Sequence, residues 1–223
     1  METHLAQVAA DGTIRLGAAA AVEPNSEPRK ARAAHGTIVK KMSRESNMPD
    51  LMKTLLHRRS IRQYTDEKVT HEQLAQIVRA GLLSPTGKNK RDWEFVIIED
   101  RTTLDKLAEA RAGGASKMLA GATAAIAVFG NAAVTDVWCE DCSIAMSNMH
   151  LMADNLGLGS CWIQGRLRMA TDIITTGDYV REILGVPENY ELEAILSIGI
   201  PAKRPAARTL EDTDMSKVHW GRF

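Results

Sequence analysis

The chain has 223 residues, 44% of them apolar, enough for one substantial buried core and an appendage. Lysine plus arginine equals aspartate plus glutamate at 28 each, so no global field exists to hold nucleic acid or an anionic membrane, and any anion must be held locally. No apolar run approaches the roughly 18 residues that span a bilayer, and three cysteines, an odd number, fit a reducing cytoplasm better than a disulfide framework.

The sequence divides near residue 48. Residues 1–47 mix an alanine run (Ala18 to Ala21), Pro24 and Pro28 with a basic polar passage, and they read as a poorly ordered extension. Their opening lacks the basic start and apolar stretch of a secretory signal. Asp11-Gly12 fits a small hairpin, because that pair suits the positive φ of a tight turn. Residues 48–223 carry regular signals and form the expected working domain.

Within that domain, "MKTLLHRRS" (52–60) fits a helix end, and Thr70-His-Glu-Gln73 has the form of a capping box. Leu74, Ile77, Val78, Gly81 and Leu82 follow on one face, predicting a helix over about 71–83 that Pro85 and Gly87 stop. "WEFVIIE" (93–99) reads as a buried strand. Asp100 caps a predicted helix reaching Gly113-Gly114, and "TAAIAVFG" (123–130) is a second buried strand. The longest predicted helix runs from about Val134 to Leu156, since Trp138, Cys142, Ala145, Met146, Met149 and Ala153 recur at steps of three and four. Strand 160–163, helix 178–185 and strand 192–199 complete the order, followed by a basic tail.

Alternating strands and helices raise the question of a dinucleotide fold, but no G-x-G-x-x-G stands between a strand and a helix, and no Walker motif is present. A bound phosphate must then be held by side chains. Arg58, Arg59 and Arg62 supply the charge, and the planar guanidinium fork donates two hydrogen bonds at once to a phosphate. Taken alone, the same arginines also fit a helix C-terminus in water, against the negative end of its dipole.

Cys139-Glu-Asp-Cys142 invites a metal or thiol-redox reading. A structural zinc needs four ligands, and only Cys161 remains among the cysteines. A thioredoxin-type pair sits at a helix start after a strand, which the helical period through Trp138 argues against. The cysteines are therefore expected to pack the core or line a pocket edge.

Three further segments decide the wider reading. "RRSIRQYTDEKVTHEQLAQIVRAGLLSPTGKNKRDWEFVII", "WCEDCSIAMSNMHLMADNLGLGSCWIQG" and "IGIPAKRPAAR" occur in an order and at distances that resemble the FMN-dependent nitroreductase family over about residues 50–223. The resemblance implies an α+β fold: a central, mostly antiparallel sheet flanked by helices with a long core helix, in an intertwined homodimer with FMN at the interface. It places Arg58 at the flavin phosphate, Arg59 and Ser60 near the phosphate and ribityl chain, and Arg62 at the N1/O2 edge. A cation at that edge stabilises the negative charge left by reduction. The loop of Pro85, Thr86, Gly87 and Asn89 would reach across from the partner subunit. Ile163, Gln164 and Gly165 would lie near N5, where a backbone N–H can hydrogen-bond the ring, and Arg208 would be a second phosphate ligand.

Two departures stand out. The family commonly has Asn-x-Gln-Pro-Trp where this chain has Asn89-Lys-Arg-Asp-Trp93, so Arg91 and Asp92 replace the usual wall. Gln164 replaces a common glutamate, removing a negative charge beside the flavin. The activity implied is ping-pong electron transfer from NADPH or NADH through FMN to a nitroaromatic, quinone or similar small acceptor, with no catalytic side chain and no metal. Other readings on the same fold are dehalogenation, flavin fragmentation, or a non-catalytic FMN sensor or store.

Overall fold

The computed structural model describes residues 48–223. The 1–47 extension, including the hairpin expected at Asp11-Gly12, lies outside them. The helices are α1 (Asp50–His57), α2 (His71–Leu82), α3 (Arg101–Leu107), α4 (Trp138–Asn155) and α5 (Thr176–Leu184). The strands are β1 (Trp93–Ile98), β2 (Ala124–Asn131), β3 (Gly159–Gln164) and β4 (Tyr190–Gly199). They form one sheet in the order β1-β2-β4-β3, and every pairing is antiparallel.

Strand β2 is central and alternates its side chains between two cores. Ala124, Ile126 and Val128 join the core against α2 and α4, with Leu74, Ile77, Met146 and Met149. Ala125, Ala127 and Phe129 join the opposite core with Leu104, Leu107, Val180 and Leu192 from α3, α5 and β4. A period of two on a strand covered on both faces therefore appears in the sequence as one apolar run. Gly130 lets the start of α4 come close to β2: a Cβ there would stand 2.8 Å from Trp138 Cε3 and 2.9 Å from Cys142 Sγ.

The capping box at Thr70 forms as expected: the Gln73 N–H donates to Thr70 Oγ1 at 3.2 Å, and the Thr70 N–H donates to Gln73 Oε1 at 2.9 Å. Two helix boundaries differ from expectation. Helix α3 ends at Leu107 rather than at Gly113-Gly114. There the buried Ser116 hydroxyl donates to the Ala108 carbonyl at 2.7 Å and accepts from the Arg111 N–H, while Gly113 and Gly114, at φ 72° and 74°, turn the chain back. Helix α4 begins at Trp138 rather than near Val134, so the apolar period was extended one turn too far into the preceding loop.

Candidate functional site

Helix α1 ends at His57, and Arg58 leaves it with an extended ψ of 123°. Arg58 is therefore not a cation lying along the helix end. It runs inward, where its Nη1 meets His150 Nε2 at 2.9 Å. Guanidinium groups only donate, so His150 Nε2 must be the acceptor. The other ring nitrogen, Nδ1, then carries the hydrogen and donates to Ser160 Oγ at 2.5 Å. Burial, and then the charge of Arg58, push the His150 pKa down to about 4, which keeps this tautomer neutral.

Burial is also the main cause of a lowered Arg58 pKa, and the positive charge of Arg208 is the second. The backbone brings these groups together. The Arg208 N–H donates to the Leu56 carbonyl at 2.9 Å, and Arg59 Nη1 donates to the Ala206 carbonyl at 2.5 Å. The segment is pinned at its base by Asp154, whose two oxygens take His57 Nδ1 at 2.8 Å and Arg204 Nη1 at 2.9 Å. Arg204 Nη2 also closes the carbonyls of Gly157 and Leu158 beyond the end of α4. A cavity of about 690 Å³ opens here, lined in part by Leu56, Arg59, Arg208 and Thr209.

Past Arg59 the chain lies along the outer edge of β3. Ser60 bridges Ser160 in parallel, and the Ile61 N–H donates to the Ser160 carbonyl at 2.9 Å. A second cavity, of about 460 Å³, is lined by Ser60, Ile61, Arg62, Gln63, Lys203 and Pro205. The structure thus brings Arg58, Arg59, Ser60, Arg62 and Arg208 to one region.

Ile163, Gln164 and Gly165 stand at the far end of β3. Ile163 is buried in the core. The Gln164 amide accepts from Trp162 Nε1 at 2.8 Å and donates toward the carbonyl and carboxylate of Glu193. Gly165 presses on Leu192, with space for a Cβ only 2.5 Å from Cδ2, and its N–H is taken by the Glu193 carbonyl at 3.0 Å. Gln164 and Ser160 both turn their carbonyls away from β4, toward Arg111 Nη1 and the Ile61 N–H. In an antiparallel pair the Gln164 N–H then faces the same outer edge. Of the backbone donors expected near the ring, Gln164 rather than Gly165 has the orientation for it.

The loop of Pro85, Thr86, Gly87 and Asn89 is elsewhere. The Gly87 N–H donates to both oxygens of buried Asp141, at 2.9 and 3.1 Å, in the first turn of α4. His150, which holds Arg58, lies nine residues further along the helix, or about 14 Å. Lys88, Asn89 and Arg91 adopt positive φ of 53°, 54° and 50°, a concentration of strain that the Asp141 clamp helps maintain. Asp92 does not form an exposed wall. It is 5% exposed, and among the described residues neither carboxylate oxygen has a hydrogen-bond donor.

Cys139 lies in the first turn of α4 and Cys142 begins the second, closer to the helix start than the longer predicted helix implied. Their surroundings nevertheless suppress thiol chemistry. Burial pushes the Cys142 thiol up, and burial together with Glu193, which accepts from Cys139 Sγ at 3.2 Å, pushes Cys139 up to about 11. At pH 7.5 the native protein is expected to react with iodoacetamide at least tenfold more slowly than the denatured chain. Fast labelling of Cys139 in the native state would contradict this.

His150, Asp154, Arg204 and the Asp92–Asp141 pair were not anticipated. The signal for the first two was a His and an Asp at i and i+4 on the buried face of an apolar helix, where a polar residue needs a partner.

An all-antiparallel sheet between helical layers, with a basic group beside the edge strand, defines an α+β protein. The sequence pattern described as the Nitroreductase family matches residues 55–117 and 110–200. An FMN-dependent nitroreductase from Clostridium difficile R20291 superposes with a TM-score of 0.76 at 43% identity, covering 77% of this chain and 99% of that one. A protein of Archaeoglobus fulgidus, provisionally named an NADH dehydrogenase/NAD(P)H nitroreductase, is 34% identical over 163 residues, 69% of this chain and 87% of its own length. A Desulfovibrio desulfuricans protein solved in complex with FMN is 27% identical, with a TM-score of 0.60 over 74% of this chain and 95% of that one. This chain belongs to the nitroreductase family.

Proposed function

We propose that the protein is an FMN-dependent oxidoreductase that takes electrons from NADPH or NADH and passes them, by a ping-pong cycle, to a nitroaromatic, quinone or similar small acceptor. The observation that carries the reading is the gathering of Arg58, Arg59 and Arg208 beside a cavity. Arg58 is crowded by like charge in a half-buried setting, and a phosphate dianion relieves that crowding. Names among the relatives point the same way, including an FMN reductase (NADPH) of Bacillus subtilis.

Arg58, Arg59 and Arg208 hold the phosphate, and Ser60 orients the ribityl chain. Arg62, on the adjoining cavity, provides a fixed positive group for the N1/O2 edge. The outward Gln164 N–H offers a donor toward N5, while Ile163 and Gly165 shape the end of the strand. Bound FMN would supply the two-electron chemistry at N5, so no side chain of this protein is required as acid, base or nucleophile.

A homodimer completes the site. Pro85, Thr86, Gly87 and Asn89 lie at the opposite end of α4 from His150 and the arginines, so a second protomer has to supply them. Leu51, Leu83 and Ile144 are apolar side chains exposed at 63%, 84% and 40%, which a partner could cover.

The test is an absorption spectrum of freshly purified protein followed by anaerobic addition of NADPH and then NADH. Flavin bands that bleach support the reading and identify the donor. Protein that is colourless and takes up no FMN overturns it, and flavin that stays oxidised with both donors points to a store or sensor. Arg62→Ala is expected to lower the midpoint potential of bound flavin by tens of millivolts and weaken FMN about tenfold. An unchanged potential removes Arg62 from the N1/O2 edge.

A further inference from the structure

The arrangement around Arg58 contains a residue that neither touches the cavity nor has a role in the reading above. His150 is 8% exposed, lies on the inner face of α4, and stands between a cation and a hydroxyl. We propose that His150 is a positioning residue that fixes Arg58 for a phosphate group, and so makes the site prefer FMN over the unphosphorylated flavin. The inference rests on the flavin reading.

The physical argument begins with the donor inventory. Arg58 has five N–H groups and nothing that accepts, so its back side needs an acceptor or it stays unsatisfied in a partly buried place. The neutral Nε2 of His150 is that acceptor, at 2.9 Å. The ring is held in this tautomer because its other nitrogen donates to Ser160 Oγ on β3. Ser160 is in turn the residue that bridges Ser60, two positions after Arg58. One imidazole therefore ties the arginine to the strand along which its own segment runs.

A carboxylate in place of His150 would orient Arg58 equally well, but it would cancel the charge that the phosphate needs. A neutral acceptor orients without neutralising. The charged groups facing this unit are Arg58 and, one helical turn on, Asp154, which is already engaged by His57 and Arg204. Arg59 and Arg208 add positive charge near Arg58, and Cys161 follows Ser160 on β3. The lowered pKa of His150 keeps it an acceptor throughout the neutral range.

The experiment measures FMN and riboflavin affinity of the full-length apoprotein at pH 7.5 by flavin fluorescence, for the wild type, His150→Leu, His150→Gln, Arg58→Ala and the Arg58→Ala/His150→Leu pair. His150→Leu is expected to weaken FMN about tenfold or more while changing riboflavin less than threefold. Glutamine, with a carbonyl for Arg58 and an amide for Ser160, should recover most of the loss. In the Arg58→Ala background, His150→Leu should cost less than twofold, because the group it positions is gone. Equal losses for FMN and riboflavin, or undiminished loss in the Arg58→Ala background, overturn the positioning role and leave the flavin reading intact. Wild-type protein that binds no FMN overturns both. If His150→Leu fails to fold, the glutamine variant and the Arg58→Ala single variant still decide the matter: a glutamine variant that loses FMN as fully as Arg58→Ala overturns the role.

Discussion

Arg58→Ala is expected to weaken FMN about 100-fold while the apoprotein melts within a few degrees of the wild type. The two halves of this expectation have different sources. A guanidinium fork on a phosphate makes two charge-assisted hydrogen bonds, each worth about 1.5–3 kcal/mol, so even at the lower end losing both amounts to about two decades in affinity. Stability, in contrast, barely depends on the same side chain. Arg58 loses a hydrogen bond to buried His150, but its removal also relieves burial of a charge and repulsion from Arg208 and Arg59. Isothermal titration of FMN into apoprotein, with thermal denaturation of the same samples, measures both. A variant that keeps wild-type affinity would remove Arg58 from the phosphate site, and one that melts far below the wild type would make its role structural.

Asp92→Asn is expected to stabilise the protein by about 3 kcal/mol at pH 8, on the order of 5–10 °C in melting temperature, and by almost nothing at pH 4. Asp92 is buried with no donor to either oxygen among the described residues, and its pKa is raised to about 6, first by burial and then by Asp141. A carboxyl group raised in the folded state binds its proton more tightly there than in the unfolded chain, where the ordinary value is 3.8. Its contribution is therefore fully favourable below about pH 4 and is lost as the pH rises through 6. Asparagine keeps the shape, removes the charge and can donate to Asp141, which itself clamps the Gly87 N–H. Thermal melts of both proteins across pH 4 to 8 give the difference directly. A difference that does not grow between pH 4 and 7 would mean that Asp92 is ionised without cost or has a partner.

The sheet and the flanking helices were readable because each of their signals is local. The run Ala124–Phe129 is apolar throughout because both faces of β2 are covered, and the Thr70 box needs only four residues. Boundaries failed where a distant or turn residue decided them, as with the Ser116 hydroxyl at the end of α3. For the candidate site, the arginine segment was legible as charge without a global field to explain it, and Arg208 only through the family resemblance. Their grouping was not, because it depends on the Leu56 and Ala206 carbonyls, which any residue carries. The Asp92–Asp141 pair was hidden for a related reason: the sequence places these carboxyl groups 49 residues apart, and only the close packing of β1 beside the start of α4 brings them together.

The backbone bonds that join the Leu56–Arg59 segment to Ala206 and Arg208 also set an order of events during synthesis. About 150 residues separate the two basic groups, a delay of roughly 8–30 s at ribosomal speeds of 5–20 residues per second. Through that interval Arg58 and Arg59 exist without Arg208, and both ends of the sheet are still being added. On the proposed phosphate site, a nascent chain in this state would have only part of its grip, and cofactor capture would be a late step that follows the emergence of the tail. Cofactor supply would then act on finished chains and leave elongation untouched.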